Sequence, residues 1–183
     1  EQLKNLLVTR SIRLGDFTLA SGAKSDYYID ARLTTMSAEG QRLVGLVGYE
    51  AIRASELDPT HVGGLTMGAD PVAYAIAHTS ALAGQPIDGF AVRKQAKDHG
   101  TGQQIEGGLP ADGRALMIED TMTTGHSTLK AVEAVRSHGS DIVGVLTVVN
   151  RSESAEKLYQ DMGLRLISLF TGTELLAVAK AET

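Results

Sequence analysis

The sequence predicts an α/β fold built on a parallel sheet with helices on both of its faces. Short apolar runs of strand length alternate along the chain with longer segments that carry apolar residues at helical spacing. The clearest unit is an apolar run at residues 115–118, a helical segment at 127–138 that stops at Gly139, and a second apolar run at 142–149. Strand, helix and strand in this order predict two parallel strands whose connecting helix covers one face of the sheet.

The other elements are predicted from their own patterns in chain order. Residues 1–13 have the spacing of a short amphipathic helix, and residues 17–30 read as a hairpin with a Ser-Gly turn. A helix at 38–54 has a predicted apolar face of Leu43, Leu46, Val47 and Ile52. Further along, apolar runs and helical spacing predict strands at 61–66, 87–92 and 164–170, helices at 71–83 and 155–162, and a final helical turn or two at 171–180.

The composition narrows the class of protein. The chain has 183 residues, of which 43% are hydrophobic, so we expect one domain spanning residues 1–183 with an ordinary core. The absence of cysteine excludes disulfides and cysteine-based metal or redox sites. A net charge of -5 without aromatic residues among the basic ones disfavours nucleic acid as a partner.

Location is predicted from the segments that would direct a protein elsewhere. No uninterrupted apolar stretch is long enough to span a bilayer, and no charged-then-apolar leader opens the chain. We therefore expect a cytoplasmic protein without a membrane partner. The chain opens with Glu1 rather than methionine, and we expect a trimmed natural N-terminus.

The stretch from residue 115 to residue 128 carries the clearest functional signal. Its apolar run ends in two adjacent carboxylates, Glu119 and Asp120, and a hydroxyl- and glycine-rich turn then opens a helix. Ligands of parallel sheets sit beyond the carboxyl ends of the strands, where these acids fall. Free amides and the dipole at a helix start favour a phosphate, and the two acids are placed to accept hydrogen bonds from ribose hydroxyls. The pattern predicts a ribose 5-phosphate site.

Two other interpretations of this stretch are a nucleoside-triphosphate loop and an ordinary connecting turn. The turn lacks the Gly-Lys-Ser/Thr ending of a nucleoside-triphosphate loop, which disfavours ATPase chemistry. Solvated acids followed by an ordinary connecting turn remain an alternative.

Residues 118–127 resemble the phosphoribosyl pyrophosphate (PRPP) motif of the type I phosphoribosyltransferases. The resemblance implies that Glu119 and Asp120 are catalytic and also bind PRPP. It implies further PRPP contacts from the residues of the turn, namely Thr121, Met122, Thr123, Thr124, Gly125, His126 and Ser127.

A basic segment at residues 92–102 reverses the sign of the chain's charge locally. Four cationic or potentially cationic side chains, Arg93, Lys94, Lys97 and His99, precede a glycine-rich stretch. This composition suits a hinged cover over a polyanion such as pyrophosphate, and a solvated basic loop is the alternative. The string is similar to the mobile loop of orotate phosphoribosyltransferases. That resemblance implies a lid at approximately 94–109, PRPP binding by the four basic residues, and catalytic roles for Lys97, Asp98 and His99.

The hairpin at residues 17–30 and the arginine at residue 151 agree with the same family. The hairpin resembles the family's Phe-Thr-Leu-x-Ser-Gly stretch, which forms a hood over the base. The resemblance implies a hood at approximately 14–35 in this chain, with Tyr28 against the pyrimidine ring. Arg151 ends an apolar strand and is placed for bidentate capture of the orotate carboxylate. Lys24 and Thr123 complete the implied orotate contacts. Ordinary strand packing for Tyr28 and a surface pair of Arg151 with Glu153 are the alternatives.

Two positions depart from many bacterial relatives. Ala20 stands where they have a lysine, and Gly68 corresponds approximately to a second family lysine. The glycine-rich loop around Gly68 suits backbone contacts with pyrophosphate.

The resemblance as a whole implies a complete reaction. Orotate and PRPP would give orotidine 5′-monophosphate and pyrophosphate, with Mg²⁺ held mainly by substrate and water rather than by protein ligands. It also implies a homodimer in which each lid reaches the partner's site. Two alternatives stay open: a phosphoribosyltransferase for another base, and a non-catalytic regulator that senses PRPP.

Overall fold

The structure is a computed structural model that describes residues 1–18, 24–95 and 104–181. Its helices and strands, in chain order, are α1 (Gln2–Ser11), β1 (Ile12–Thr18), β2 (Lys24–Ile29), α2 (Arg32–Thr35), α3 (Ala38–Ser55), β3 (His61–Leu65), α4 (Ala69–Leu82), β4 (Asp88–Val92), β5 (Ile105–Gly107), β6 (Arg114–Met122), α5 (His126–His138), β7 (Asp141–Asn150), α6 (Glu153–Asp161), β8 (Leu166–Thr171) and α7 (Gly172–Ala181).

A six-stranded sheet lies at the centre, in the order β5-β4-β3-β6-β7-β8. The pairs among β4, β3, β6, β7 and β8 are parallel, whereas β5 pairs with β4 antiparallel at one edge. The predicted parallel sheet is therefore confirmed, with one added antiparallel edge strand. Strand β5 has only three residues, too short a run for a periodic pattern to identify from the sequence.

Helices cover both faces of this sheet, as the sequence predicts. Side chains alternate along β6: Leu116 and Ile118 pack with α1, α3, α4 and α7, while Ala115 and Met117 pack with α5 and α6. A strand buried on both faces reads as a continuous apolar run, which is how residues 115–118 appear in the sequence. In the described part of the chain, no helix has the length and apolarity to span a bilayer.

The N-terminal hood is a separate two-stranded antiparallel sheet of β1 and β2 followed by the single turn of α2. The hairpin begins at Ile12, two residues before the predicted start of the hood, and its residues 19–23 lie outside the described part. An ion pair of 2.9 Å between Asp26 and Lys180 joins the hood to α7. The Asp30 amide donates to the Ser11 carbonyl at 2.9 Å, which fixes the end of the hairpin against α1.

Three elements differ from their predicted extents. Strand β6 continues to Met122. Glu119 and Asp120, which are predicted to follow the strand, therefore lie inside it, near its carboxyl end. Residues 105–107 of the predicted lid are paired in the sheet as β5. The predicted final helical turn or two is a ten-residue helix, α7.

Leu46 was placed on the wrong face of α3. It is 41% exposed, because the buried stripe of this helix runs at four-residue spacing through Gly40, Val44, Gly48 and Ile52. Two members of the stripe are glycines, which a search for apolar residues at helical spacing does not identify as buried. A Cβ at Gly40 would meet the Thr34 carbonyl of α2, and one at Gly48 would meet Ile76 where α3 packs closely on α4, so this face of α3 is defined by small size rather than by apolar character.

Gly45→Ala is expected to destabilise the fold through this close contact. A Cβ at residue 45 would lie 2.3 Å from Thr79 Oγ1 and 2.6 Å from the Ala75 carbonyl oxygen, which is α4 backbone. Overpacking of this kind costs about 1–3 kcal/mol. Gly48→Ala is the matched control. Its Cβ would meet side-chain atoms of Ile76 rather than backbone, and the substitution gains the same helix propensity. Urea unfolding should show a clearly lower free energy of unfolding for Gly45→Ala, and equal values would contradict the packing argument.

Candidate active site

A cavity of about 390 Å³ lies at the carboxyl ends of β3 and β6, beneath the hood. It brings together the acid pair, the start of α5, the loop before α4 and the base of the predicted lid. Its lining residues are Tyr28, Ile29, Asp30, Ala31, Arg32, Leu65, Thr66, Met67, Gly68, Lys94, Glu119, Asp120, Thr121 and Ser127. A larger groove of about 790 Å³ between β5 and α5 holds none of the predicted site residues.

Glu119 lies in the cavity wall, where it is almost fully buried and joined to the start of α5. Its Oε2 accepts hydrogen bonds from Thr128 Oγ1 at 2.7 Å and from Ser127 Oγ at 3.3 Å. Burial raises the pKa of Glu119 to about 7, although these two hydrogen bonds favour the charged form. Glu119 therefore fixes the loop between β6 and α5, and its neighbour Asp120 is the acid better placed to meet a ligand. Thr128 is a site residue that sequence reasoning missed.

Asp120 faces the loop that precedes α4. Its Oδ1 accepts the Thr121 amide at 2.8 Å, and burial raises the pKa of its carboxyl while the nearby Arg32 charge opposes that rise. A Cβ at residue 68 would lie only 2.6 Å from Asp120 Oδ1. The backbone at Gly68 thus approaches the Asp120 carboxylate so closely that a side chain at residue 68 would displace it.

The turn after β6 leaves backbone amides available. Thr123 and Thr124 are exposed, and Gly125 adopts a left-handed conformation with φ +78° before α5 begins at His126. No side chain caps this helix start, so its first amides have no side-chain acceptor. An exposed turn followed by uncapped amides has the features of helix starts that bind anions.

Tyr159, on α6, holds the turn in place from behind. Its fully buried hydroxyl donates to the Gly125 carbonyl at 2.9 Å, and a Cβ at residue 125 would lie 3.1 Å from the Tyr159 ring. Sequence reasoning missed this residue because it lies 34 residues from its partner and carries no local motif.

The start of α4 resembles the start of α5 in lacking a side-chain cap. Gly68 occupies the cap position and lines the cavity, as Ser127 does at the other helix. By contrast, α3 and α6 are capped by the hydroxyls of Ser37 and Ser152. The two glycine-started helices thus direct unpaired amides towards one cavity.

The hood places one of its two predicted site residues in the cavity. Tyr28 lines it and contacts the Phe17 ring, with centroids 5.7 Å apart. Lys24 lies elsewhere in the hairpin, where its Nζ donates to Thr18 Oγ1 at 2.8 Å.

Arg151 follows β7, and its amide donates to the Met122 carbonyl at 2.8 Å. Its guanidinium lies 5.3 Å from the centre of the Tyr27 ring, and its Nε is buried without a hydrogen-bond partner. Within the described residues it forms no ion pair with Glu153. A buried, unpartnered guanidinium N–H is a costly arrangement that an anionic ligand would relieve.

The basic segment is divided between two positions. Lys94 lines the cavity, whereas Arg93 forms an exposed ion pair of 3.1 Å with Glu106 on β5. Lys97, Asp98 and His99 lie outside the described residues. Asp30 and Arg32 line the cavity although no sequence pattern singled them out.

Comparison with known proteins relates this site to a family. The model of the phosphoribosyl transferase domain matches residues 47–172. Orotate phosphoribosyltransferase from Aquifex aeolicus is 44% identical over 179 residues, which cover 96% of this chain and 97% of that protein. The enzyme of the same name from Corynebacterium glutamicum is 44% identical over 174 residues, covering 95% and 92%.

Solved structures agree with the sequence relatives. The chain superposes on Mycobacterium tuberculosis orotate phosphoribosyltransferase in complex with PRPP with a TM-score of 0.80 at 39% identity, covering 95% of this chain and 96% of that one. The Aeropyrum pernix enzyme gives a TM-score of 0.79 at 32% identity, covering 96% of each chain. With the acid pair, the uncapped turn and the hood in one cavity, these matches establish that the chain belongs to the orotate phosphoribosyltransferase family.

Proposed function

We propose that this chain is an orotate phosphoribosyltransferase, a pentosyltransferase that moves the 5-phosphoribosyl group of PRPP to orotate in UMP biosynthesis. The products are orotidine 5′-monophosphate and pyrophosphate. The observation that carries the proposal is the meeting of an acid pair and two uncapped helix starts in one cavity beneath the hood. The relatives that share most of the chain bear the same enzyme name.

The 5′-phosphate binds at the start of α5 in this proposal. Amides of the turn from Thr121 to Ser127, through Met122, Thr123, Thr124, Gly125 and His126, would surround it with help from the exposed hydroxyls. The Tyr159 hydroxyl holds the turn in its anion-binding shape before the substrate arrives, so less ordering is required on binding.

The acids act on the ribose. Breaking the bond between the anomeric carbon and pyrophosphate leaves positive charge on the ring, and the electron pair departs with pyrophosphate. Asp120 lines the cavity and would offset that charge, while Glu119 orients the sugar and holds the turn through Ser127 and Thr128. A pyrimidine nitrogen of orotate then bonds to the same carbon and gives up its proton to the departing pyrophosphate or to water.

The base binds between the hood and the end of β7. Tyr28 supplies an aromatic face, and Arg151, with its unpartnered buried Nε, would take the orotate carboxylate. Thr123 and Lys24 complete the proposed contacts. Lys24 would have to leave its hydrogen bond with Thr18 to do so.

The pyrophosphate leaves towards the basic segment. Lys94 and the amides at the start of α4 face the cavity from opposite sides, and Arg93, Lys97, Asp98 and His99 are proposed to close over it as the lid. Lid cations would stabilise the charge of the departing group.

Mg²⁺ fits the donor set of this cavity. Among the described residues no group of three or more His, Asp or Glu side chains could hold a metal ion, but the Asp120 carboxylate faces the proposed substrate position. One or two carboxylates combined with substrate phosphates and water is the coordination that Mg²⁺ prefers. When bound, the ion would neutralise charge on the pyrophosphate.

Assembly as a homodimer is part of the proposal. Three large apolar side chains, Leu33, Met36 and Met67, are 43%, 48% and 62% exposed and line one shallow pocket beside the active-site cavity. Such a patch at the edge of the site suits a second copy of the chain.

We further propose that residues 1–183 act as one domain with a hood near 14–35 and a lid near 94–109, in the cytoplasm.

The direct test is product formation from PRPP with orotate, uracil, hypoxanthine and adenine side by side. We expect product from orotate alone at an appreciable rate, because the other bases lack the carboxylate assigned to Arg151. A preference for another base would assign the site to a different phosphoribosyltransferase. PRPP binding without any product would indicate a non-catalytic sensor.

Glu119→Gln should change the pH dependence of stability. Burial raises the pKa of Glu119 from 4.5 to about 7, so between these values the folded protein holds a proton that the unfolded chain has released. This contribution to the free energy of unfolding is fully present below pH 4.5 and is lost as the pH rises to about 7. Urea unfolding at pH 5 and pH 8 should show a larger loss for the parent, on the order of 1–3 kcal/mol. Equal losses in parent and variant would show that Glu119 is ionised in the folded state.

Subunit mixing tests whether the lid acts on the partner's site. Lys97→Ala and Asp120→Asn are each expected to be nearly inactive, since one preorganised electrostatic group contributes about 3 kcal/mol. If the lid acts in trans, a mixed dimer has one site with both defects and one with neither, so activity returns after subunit exchange. Each variant mixed with itself is the control. Exchange without recovery would show that the lid acts within its own subunit.

A further inference from the structure

Arg32 is held in a fixed orientation at the edge of the active-site cavity. Its Nε donates to Asp30 Oδ1 at 2.9 Å, and its Nη2 donates to Asp30 Oδ2 at 3.1 Å. The backbone amide of Arg32 also donates to Asp30 Oδ1 at 3.1 Å. This side-on pairing uses one edge of the guanidinium and leaves Nη1 free of Asp30. The guanidinium is thus preorganised for a second anionic partner.

The position of Arg32 relates it to the chemistry of the cavity. It lines the cavity together with Asp120, and its charge acts on that carboxyl by lowering its pKa against the effect of burial. Its side chain is 48% exposed, so a ligand can reach it. It also lines the shallow pocket that contains Met67, next to the start of α4.

The charged residues that line the cavity indicate why a cation at residue 32 matters for binding an anion. The described lining residues include three acids, Asp30, Glu119 and Asp120, and two cations, Arg32 and Lys94. PRPP is a polyanion, and a cavity with this excess of acids would repel it without both cations. Lys94 enters from the end of β4 and Arg32 from the hood, so the two flank the cavity from different elements.

We propose that Arg32 binds the diphosphate group of PRPP, with Asp30 as the residue that positions its guanidinium. The inference rests on the proposed function and adds a substrate contact to it. The diphosphate is favoured over the orotate carboxylate because Arg32 adjoins Met67 and the uncapped start of α4. The carboxylate has its own candidate in Arg151, which lies over Tyr27 and does not line this cavity.

Calorimetric titration of four ligands separates this role from the alternatives. The ligands are PRPP and inorganic pyrophosphate, each with Mg²⁺, together with ribose 5-phosphate and orotate. Arg32→Gln removes the charge, and Arg32→Lys keeps the charge but loses the planar fork. Arg42→Ala is the matched control, since Arg42 pairs with Glu39 in the same way, through Nε and Nη2, on the surface of α3 and away from the cavity. Thermal unfolding of each variant verifies its fold.

Arg32→Gln should weaken PRPP and pyrophosphate by at least about tenfold, the typical effect of losing a charge-assisted hydrogen bond. Arg32→Lys should weaken them less, and ribose 5-phosphate, orotate and the Arg42→Ala variant should stay within about twofold of the parent values. If Arg32→Gln fails to fold, the ligand pattern of Arg32→Lys decides.

Two results would overturn the inference while leaving the proposed function intact. One is pyrophosphate binding within twofold of the parent in both Arg32 variants, and the other is a loss of affinity confined to orotate. A parent protein that binds no PRPP and forms no product would instead refute the proposed function, and the inference with it.

Discussion

The hydrogen bonds from Ser127 and Thr128 to Glu119 join the middle of the sheet to the start of α5. Glu119 belongs to β6, and its position is set by its pairing with Thr147 of β7, because the pairing of β6 with β3 ends at Met117. Both hydroxyls belong to the first turn of α5, and the turn between strand and helix is closed by them. The Tyr159 hydroxyl fixes the same turn through a second contact, its hydrogen bond to the Gly125 carbonyl. The shape of the anion site thus depends on contacts made behind it.

The two adjacent acids, Glu119 and Asp120, differ in their burial and in their contacts. Successive residues of a strand point to opposite faces, so Glu119 and Asp120 enter different surroundings although they are neighbours in sequence. Glu119 is 8% exposed and bonded to helix hydroxyls, whereas Asp120 faces Gly68, Arg32 and the cavity. One carboxyl therefore organises the turn, and the other is available to a sugar. The sequence shows the pair but not this division, because it depends on how far β6 extends.

Local pattern was sufficient for the five parallel strands, the longer helices and the hydroxyl- and glycine-rich turn after β6. Each of these is written in consecutive residues: an apolar run, a helical repeat, or two acids followed by hydroxyls and glycine. What the sequence did not reveal depends on contacts between distant segments. Leu46 is exposed because two glycines form the packing face of α3, and Tyr159 reaches Gly125 across 34 residues. Arg32 pairs with Asp30 within the hood, and it shares a cavity with Asp120 of β6 and Met67 of the loop before α4 only because the hood lies over the sheet.

The two uncapped helix starts explain why the cavity can hold a ligand with two separate anionic groups. Each start offers amides without side-chain acceptors, at Gly68 before α4 and at Gly125 before α5. Serines cap α3 and α6, which begin away from the cavity, so these helix starts, unlike those of α4 and α5, have a side-chain acceptor for one of their first amides. A ribose carrying a 5′-phosphate and a 1-diphosphate presents its two charges at opposite ends of the sugar. In the proposed function, each helix start would receive one end of this ligand, and Asp120, which lines the cavity, would face the ribose.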